Sequence, residues 1–207
     1  MAGPVDTKLE VVVVPVADVD RAKEFYAGLG WRLDADLGDE HFRIVQLNPP
    51  GSDCSVQFGI GITTAPPGSA TNLLVVDDVE AAHDALTAAG AAPIGVFHDG
   101  SGGYNRFDAR VRADGPDPER RTYASFDEFT DPDGNVWQLQ EITSRLPGRV
   151  DASTVSYGSV ADVQAALERA AAAHGKHEER TGVRDDAWPE WYAAYMVAER
   201  TGTELPS

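Results

Sequence analysis

Cysteine and positive charge are both scarce in this chain of 207 residues. Its 17 lysines and arginines face 34 aspartates and glutamates, which gives a formal net charge of −17. Because phosphate binding relies on clustered lysines and arginines, this balance argues against nucleic acid or an anionic membrane as a partner. The single cysteine, Cys54, cannot form an internal disulfide, and we assign it no chemical role.

Long apolar runs are missing as well. No stretch is long enough to span a bilayer, and residues 1–8 lack the basic start and apolar segment of a secretory signal. We therefore expect a cytoplasmic protein that does not enter a membrane. With 42% hydrophobic and 25% charged residues, the composition is that of a globular protein and excludes wholesale disorder.

An internal repeat with a spacing of 60 residues organises the first part of the chain. Residues 16–22 align with residues 76–82, and the same shift carries Gly30 onto Gly90 without a gap. In each copy a valine-rich run precedes an aspartate suited to cap a helix, and the glycine is suited to the helix end. The repeat therefore predicts two related modules.

The two modules, residues 8–64 and residues 70–145, are each predicted to fold as β-α-β-β-β. Three short segments follow the helix in each copy and indicate a meander of strands, the first of the second meander covering Ala92 to His98. The copies differ by an insertion, Asp99 to Thr122, which is rich in glycine, aspartate and arginine and has no periodicity. Insertions of this length commonly form lids or binding loops.

Residues 150–207 are predicted to form a helical extension. Ser159 is suited to cap its first helix, and His174 and His177 recur on the apolar stripe of that helix. With Glu178 these histidines are a possible metal site, but a docked or frayed helix end is the preferred interpretation.

The second helix of the extension is the most aromatic segment of the chain. Its large side chains are Trp188, Trp191, Tyr192, Tyr195 and Met196. We expect them to be buried against the first domain, across a dimer or against a partner. A tail that latches over the ligand site is one hypothesis.

The modules and their motifs together resemble the vicinal oxygen chelate superfamily, which includes glyoxalase I, bleomycin-resistance proteins and extradiol dioxygenases. The resemblance rests on residues 16–26 followed by Leu-Gly-Trp at 29–31, and on the turn at 129–135, and it covers residues 8–148. It implies an α+β fold in which two paired βαβββ modules form a cup around the ligand. It also implies a homodimer.

The resemblance further implies where a metal would be held. Metal-dependent members place a histidine near the start of each module's first strand and a glutamate or glutamine on its last strand. The matching positions here are Val11 with Gln57 and Thr71 with Gln138. Valine has no lone pair and neutral threonine is a poor ligand, so we expect no cofactor and no metal. A divalent-metal site using Glu10, Gln57 and Gln138 is the less favoured alternative.

The remaining positions predict that the cup binds a small organic molecule. Such pockets combine apolar walls with a few amides and hydroxyls that fix the orientation of the ligand. The ligand-binding candidates are Ser55, Gln57, Thr71, His98, Tyr123, Gln138 and Gln140. The alternative is that the glutamines only satisfy cross-strand or backbone hydrogen bonds.

His98, Arg121 and Tyr123 are the catalytic candidates, should the protein be an enzyme. A neutral histidine is suited to act as a general base, an arginine to hold a carboxylate or enolate, and a tyrosine to donate to an oxyanion. Alternatively, the arginine only offsets the neighbouring acids Asp117 and Glu119. The other two histidines of the first domain, His41 and His83, are expected to be solvated.

Three functions follow from these observations. The leading hypothesis is a binder of a small organic molecule that works without the family's metal. The second is an enzyme, either a metal-independent lyase or isomerase or a metal enzyme with unusual ligands, with metal-dependent glyoxalase I and extradiol dioxygenase activity disfavoured. The third is an interaction module that acts through the aromatic tail.

Overall fold

The chain divides into two units between Thr143 and Ser144. The structure is a computed structural model that describes residues 7–145, 155 and 157–206. The boundary predicted from the sequence, between residues 148 and 150, lies outside these residues. Across the described ranges, no helix combines the length and the apolar character needed to cross a membrane.

The first module folds as one helix and a four-stranded sheet. Its elements are β1 (Val11–Val13), α1 (Val19–Gly28), β2 (Arg32–Gly38), β3 (Arg43–Asn48) and β4 (Ser55–Ile60), with strand order β1-β4-β3-β2. Asp18 caps α1, because its side chain accepts from the backbone N–H of Arg21 at 3.0 Å. Gly30 follows the helix with a φ of +82°, a left-handed conformation that glycine adopts without strain.

The second module repeats this plan with one added strand. Its elements are β5 (Thr71–Val76), α2 (Val79–Ala88), β6 (Phe97–Asp99), β7 (Arg112–Asp114), β8 (Ser125–Thr130) and β9 (Val136–Glu141), in the order β5-β9-β8-β6-β7. Asp78 caps α2 through the N–H groups of Glu80 and Ala81. The paired βαβββ modules and the α+β class are therefore confirmed.

Two details of the second module differ from the prediction. The strand expected over Ala92 to His98 is reduced to Phe97–Asp99, since Pro93 has no N–H to donate and Gly95 has a φ of +114°. The insertion also supplies an edge strand, β7, which pairs with β6. The insertion therefore contains a strand although its sequence shows no strand periodicity.

The helices cover one face of each sheet and bury a shared core. Its fully enclosed members are Val14, Ala22, Tyr26, Trp31, Val45, Leu47, Val56, Phe58, Val79, Ala91, Phe129, Trp137 and Leu139. Tyr26 stacks on Trp31 with ring centroids 4.7 Å apart, and Trp31 meets Trp137 edge-on at 5.1 Å. Because Trp137 belongs to the second module, the aromatic core joins the two modules.

A buried hydrogen-bond network at Asp131 reinforces this junction. The hydroxyl of Tyr26 donates to Asp131 Oδ2 at 2.7 Å and accepts from Trp137 Nε1 at 3.0 Å. Asn135 donates from Nδ2 to the carbonyl of Pro15 at 2.9 Å. Burial, together with the Asp131 carboxylate, raises the pKa of Tyr26 far above its ordinary value, so the hydroxyl keeps its proton.

The second unit is a pair of helices, α3 (Val160–Thr181) and α4 (Trp188–Thr201). Ser159 caps α3 by accepting from the N–H of Asp162 at 3.1 Å, as the sequence predicts. Arg169 of α3 donates two hydrogen bonds to the carboxylate of Glu199 in α4, at 2.6 and 2.8 Å. The helical extension predicted from the sequence is therefore present.

We expect Tyr26→Phe to lower the free energy of unfolding by about 2 kcal/mol, because Asp131 loses a buried donor and Trp137 loses its acceptor. Urea unfolding followed by circular dichroism measures the change. Tyr104→Phe is the matched control, since Tyr104 is 52% exposed and should change little. Equal stability of Tyr26→Phe and the wild type would show that the network does not support the junction.

Candidate ligand-binding site

The helix-free face of the first sheet carries a pair of amides. Gln57 of β4 lies between Val13 of β1 and Gln46 of β3, and its Nε2 donates to Gln46 Oε1 at 3.3 Å. Paired residues share a face, and Val56 and Phe58 point to the opposite face, where they join the core. The amides are therefore fixed on the side of the sheet that the helices leave uncovered.

The second sheet repeats the arrangement at the equivalent positions. Gln138 of β9 lies between Leu73 of β5 and Glu128 of β8, and its Nε2 donates to Glu128 Oε2 at 3.2 Å. Gln140 lies two residues further along on the same face. Both glutamines are buried, at 5% and 6% exposed, whereas Thr71 at the start of β5 is exposed.

The insertion packs on this second face and makes it ionic. Arg106 donates from Nε to Gln138 Oε1 at 2.8 Å. Arg112 places Nη2 3.5 Å from Glu128 Oε2, and its guanidinium lies 4.1 Å from the ring centroid of Phe97. In the described part of the chain the two sheets therefore differ, because the insertion brings arginine side chains to the second sheet and not to the first.

His98 lies on the other side of the second sheet. It pairs with Ser125 on β8, and the residues that share its face continue to Asp127 and Phe129, which point toward the helices. Its Nδ1 is 2.9 Å from the carbonyl of Gly115. The register thus sets His98 on the face opposite Gln138.

Tyr123 positions Gln140 through its backbone. Its carbonyl accepts from Gln140 Nε2 at 2.8 Å, and its N–H donates to the carbonyl of Glu141 at the same distance. Tyr123 has a φ of +70°, a left-handed conformation that is costly for a bulky residue, and its side chain is buried. The surrounding hydrogen bonds hold it in this conformation.

Arg121 is paired with an acid on its own segment. It donates from Nη2 to Asp117 Oδ2 at 2.5 Å and from Nε to Oδ1 at 3.1 Å, while Nη1 donates to the carbonyl of Gly102. The guanidinium lowers the pKa of the buried Asp117 carboxyl to about 2. This favours the interpretation in which Arg121 offsets neighbouring acids.

The first-strand position Val11 pairs with Ser55, which is buried on the same face as Gln57. Glu10 is exposed, and its backbone carbonyl accepts from the Ser55 N–H at 2.8 Å. Within residues 7–145, 155 and 157–206, no three histidine, cysteine, aspartate or glutamate side chains are grouped to hold a metal.

The residues at the family's metal positions do not fit a divalent ion. Val11 offers no lone pair, and Thr71 offers only a neutral hydroxyl. The amide oxygen of Gln138 accepts from the positively charged guanidinium of Arg106 at 2.8 Å. A second positive charge at this oxygen would be repelled.

His83, expected to be solvated, is instead half-buried, with 30% of its side chain exposed. Its Nδ1 lies 2.7 Å from Oδ2 of Asp127, a carboxylate on β8 that is fully buried. His83 lies one helical turn after Val79, a core residue of α2, and this spacing of four was the signal that it faces the sheet. Arg106 was also missed, because the insertion offers no periodic pattern.

In the second unit, His174 is a packed histidine. Its Nε2 lies 3.2 Å from Asp185 Oδ2, and its ring is 5.0 Å from that of Trp191 and 5.4 Å from that of Tyr192. Glu178 accepts from the backbone N–H of Asp185 instead of joining the histidines. These contacts favour the docked-helix interpretation, with α3 itself covering part of the aromatic face of α4.

We expect Arg121→Gln to lower the free energy of unfolding near neutral pH, and the deficit to shrink under acid. The folded-state pKa of Asp117, about 2, is below its ordinary value of 3.8. Its ionisation therefore stabilises the fold above pH 3.8, and this contribution is lost as the pH falls through about 2. Urea unfolding of both proteins between neutral pH and about pH 2 measures the difference.

Arg110→Gln is the control for this prediction, because Arg110 pairs with Asp108 while its side chain is 89% exposed. That exposed pair is screened by solvent and should contribute little to stability at any pH. A deficit in Arg121→Gln that keeps the same size at every pH would contradict the assignment of the effect to Asp117.

Comparison with known proteins gives one family match. The model described as the Glyoxalase/Bleomycin resistance protein/Dioxygenase superfamily matches residues 8–139. TnmS3, an antibiotic binding protein from Streptomyces sp. CB03234, is 31% identical, with 67% of this chain and 98% of that chain covered and a TM-score of 0.49. A glyoxalase/bleomycin resistance protein from the same organism is 32% identical over 64% and 99%, with a TM-score of 0.47. A search of the curated proteins found no match.

The family match spans nearly all of the duplicated unit. Residues 8–139 begin before β1 and end inside β9, so they include both modules and the insertion. The resemblance drawn from the capping aspartates and the turn at 129–135 is confirmed. The chain belongs to the glyoxalase/bleomycin resistance protein/dioxygenase superfamily.

Proposed function

We propose that the protein binds a small organic molecule on the helix-free faces of its two sheets, and that it does so without a metal ion. The observation that carries the proposal is the combination of exposed apolar side chains with fixed polar groups on these faces. Four such apolar residues are at least 40% exposed, and these are Val13, Leu37, Leu73 and Val75.

The arrangement suits a ligand with an apolar body and a few polar groups. Val13 pairs directly with Gln57 and Leu73 with Gln138, so each sheet sets an apolar side chain beside an oriented amide. Covering exposed apolar surface is favourable by about 25 cal/mol per Å². The amides then fix the orientation of the ligand, as in other small-molecule sites.

The enzyme alternative has less support from the geometry. A lyase or isomerase using His98, Arg121 and Tyr123 requires these side chains to act on one ligand. The register sets His98 on the face opposite Gln138, and Arg121 is engaged by Asp117. The homodimer implied by the resemblance remains part of the proposal.

Absence of a metal requirement is tested by elemental analysis of the purified protein and by thermal unfolding with added nickel, zinc, manganese or iron(II). We expect less than about 0.1 equivalent of metal and no rise in Tm, because stabilisation requires a bound ion. Near-stoichiometric metal would contradict the proposal. Its loss in Glu10→Ala would identify the first-strand site, and its loss in His174→Ala would identify the helical unit.

Ligand binding is tested by calorimetric screening of a panel of organic molecules that includes bleomycin. We expect Val13→Glu to weaken the best binder by about tenfold or more, because a carboxylate would be desolvated against the apolar body of the ligand. Val160→Glu is the matched control, since Val160 is 86% exposed and lies in the helical unit. Unchanged affinity in Val13→Glu would overturn the assignment of binding to this face.

A further inference from the structure

The guanidinium of Arg106 is held in place on the second sheet. Its Nε donates to the buried Gln138 at 2.8 Å, and its own backbone carbonyl accepts from Nη2 of Arg112 at 2.9 Å. A guanidinium has five N–H groups, and the bond to Gln138 uses one of them. Arg106 is therefore a positioned charge that keeps donors for an incoming acceptor.

The loop around Arg106 is shaped by two side chains. Asp99 accepts from the N–H groups of Ser101 and Asn105, each at 2.9 Å. Asn105 Oδ1 in turn accepts from the N–H groups of Phe107 and Asp108. Because these bonds fix the backbone on both sides of residue 106, placing the guanidinium on the sheet costs side-chain entropy but no further backbone entropy.

Among the residues that the structure describes, no carboxylate forms an ion pair with Arg106. Glu128, an acid on the same face, interacts with Arg112 at 3.5 Å and with the Gln138 amide at 3.2 Å. None of the ion pairs found among the described residues includes Arg106. Arg106 therefore supplies, on the ligand-facing side of the sheet, a positive charge that is not directly paired with Glu128.

This charge stands where the resemblance implies a metal. Gln138 is the residue at the last-strand metal position, and its oxygen accepts from Arg106. The site therefore offers a guanidinium in place of a divalent ion, and a guanidinium recognises a planar carboxylate through parallel hydrogen bonds.

Apolar side chains lie beside the guanidinium. Leu73 pairs with Gln138, and Val75 pairs with Gln140 two residues along, so both lie on the same face of the second sheet. Leu73 is 40% and Val75 44% exposed. A ligand with its carboxylate on Arg106 would rest its apolar body on this strip.

We propose that Arg106 anchors the carboxylate of an apolar organic acid, replacing the metal ion of metal-dependent members with a fixed guanidinium. The inference rests on the proposed function and names the ligand class for the second sheet. It predicts that binding depends on one negative charge of the ligand and on Arg106, and that no divalent ion competes with or assists it.

The test uses the full-length, ¹⁵N-labelled protein and two probes of the same size, 3-phenylpropanoic acid and 3-phenylpropanamide, which differ in whether the polar end is a charged carboxylate or a neutral amide. The Nε–Hε signal of Arg106 is assigned by its disappearance in Arg106→Gln. We expect the acid to shift this signal saturably and to bind about tenfold more tightly than the amide, as charge-assisted hydrogen bonds predict.

Variants separate the role of Arg106 from a general loss of the site. The affinity of Arg106→Gln for the acid should fall to within about twofold of its affinity for the amide. The affinity for the amide should not change. Arg106→Lys should retain part of the preference because it keeps the charge but not the planar fork. Arg110→Gln, in the same insertion, should behave as the wild type because Arg110 is exposed and paired with Asp108.

The outcomes distinguish the two proposals. Equal binding of acid and amide to the wild type, or an acid preference that survives in Arg106→Gln, would overturn the role of Arg106 and leave the binding function intact. Saturable broadening of the Arg106 signal by Mn²⁺ would also overturn it, because it would locate a metal at Gln138. No binding of either probe at millimolar concentration, while bleomycin or another panel compound binds, would exclude the organic-acid class alone.

Discussion

The buried carboxylate of Asp131 is the interaction on which the first unit depends. It receives the hydroxyl of Tyr26 from α1 and amide N–H groups from its own turn, including that of Asn135. Asn135 in turn bonds Pro15 and Ala70. A buried carboxylate is tolerated only when its oxygens are satisfied, so the chain segments that satisfy it must be placed together. Helix, turn and both first strands are thereby fixed relative to one another.

Because the Asp131 network fixes the two modules relative to one another, the helix-free faces of the two sheets present equivalent residues. Once the modules are locked, the alternation of β4 and β9 turns Val56, Phe58, Trp137 and Leu139 into the core and leaves Gln57 and Gln138 outside it. Each glutamine then finds its cross-strand neighbour, Gln46 in one sheet and Glu128 in the other. This neighbour is a neutral amide in the first sheet and a carboxylate in the second, where it also lies 3.5 Å from Arg112.

Much of the scaffold was predictable because it depends on local rules. The capping bonds of Asp18 and Asp78 and the left-handed Gly30 follow from short motifs, and the repeat carried each rule to a second copy. The position of the Arg106 side chain could not be predicted from such rules. Its position follows from Asp99 and Asn105, whose side chains bond to backbone groups with no periodic signature. His83 shows the intermediate case, in which a helical spacing was readable but its polar partner on another strand was not.

The insertion is held by hydrogen bonds that are separate from those of the Asp131 junction. Its backbone is held by Asp99 at one end and by the β6–β7 pairing at the other, and neither element belongs to the Asp131 junction. An exposed residue of the insertion, such as Phe107, can therefore be changed without altering the bonds that join the two modules. The duplicated unit and the insertion are supported separately within one chain.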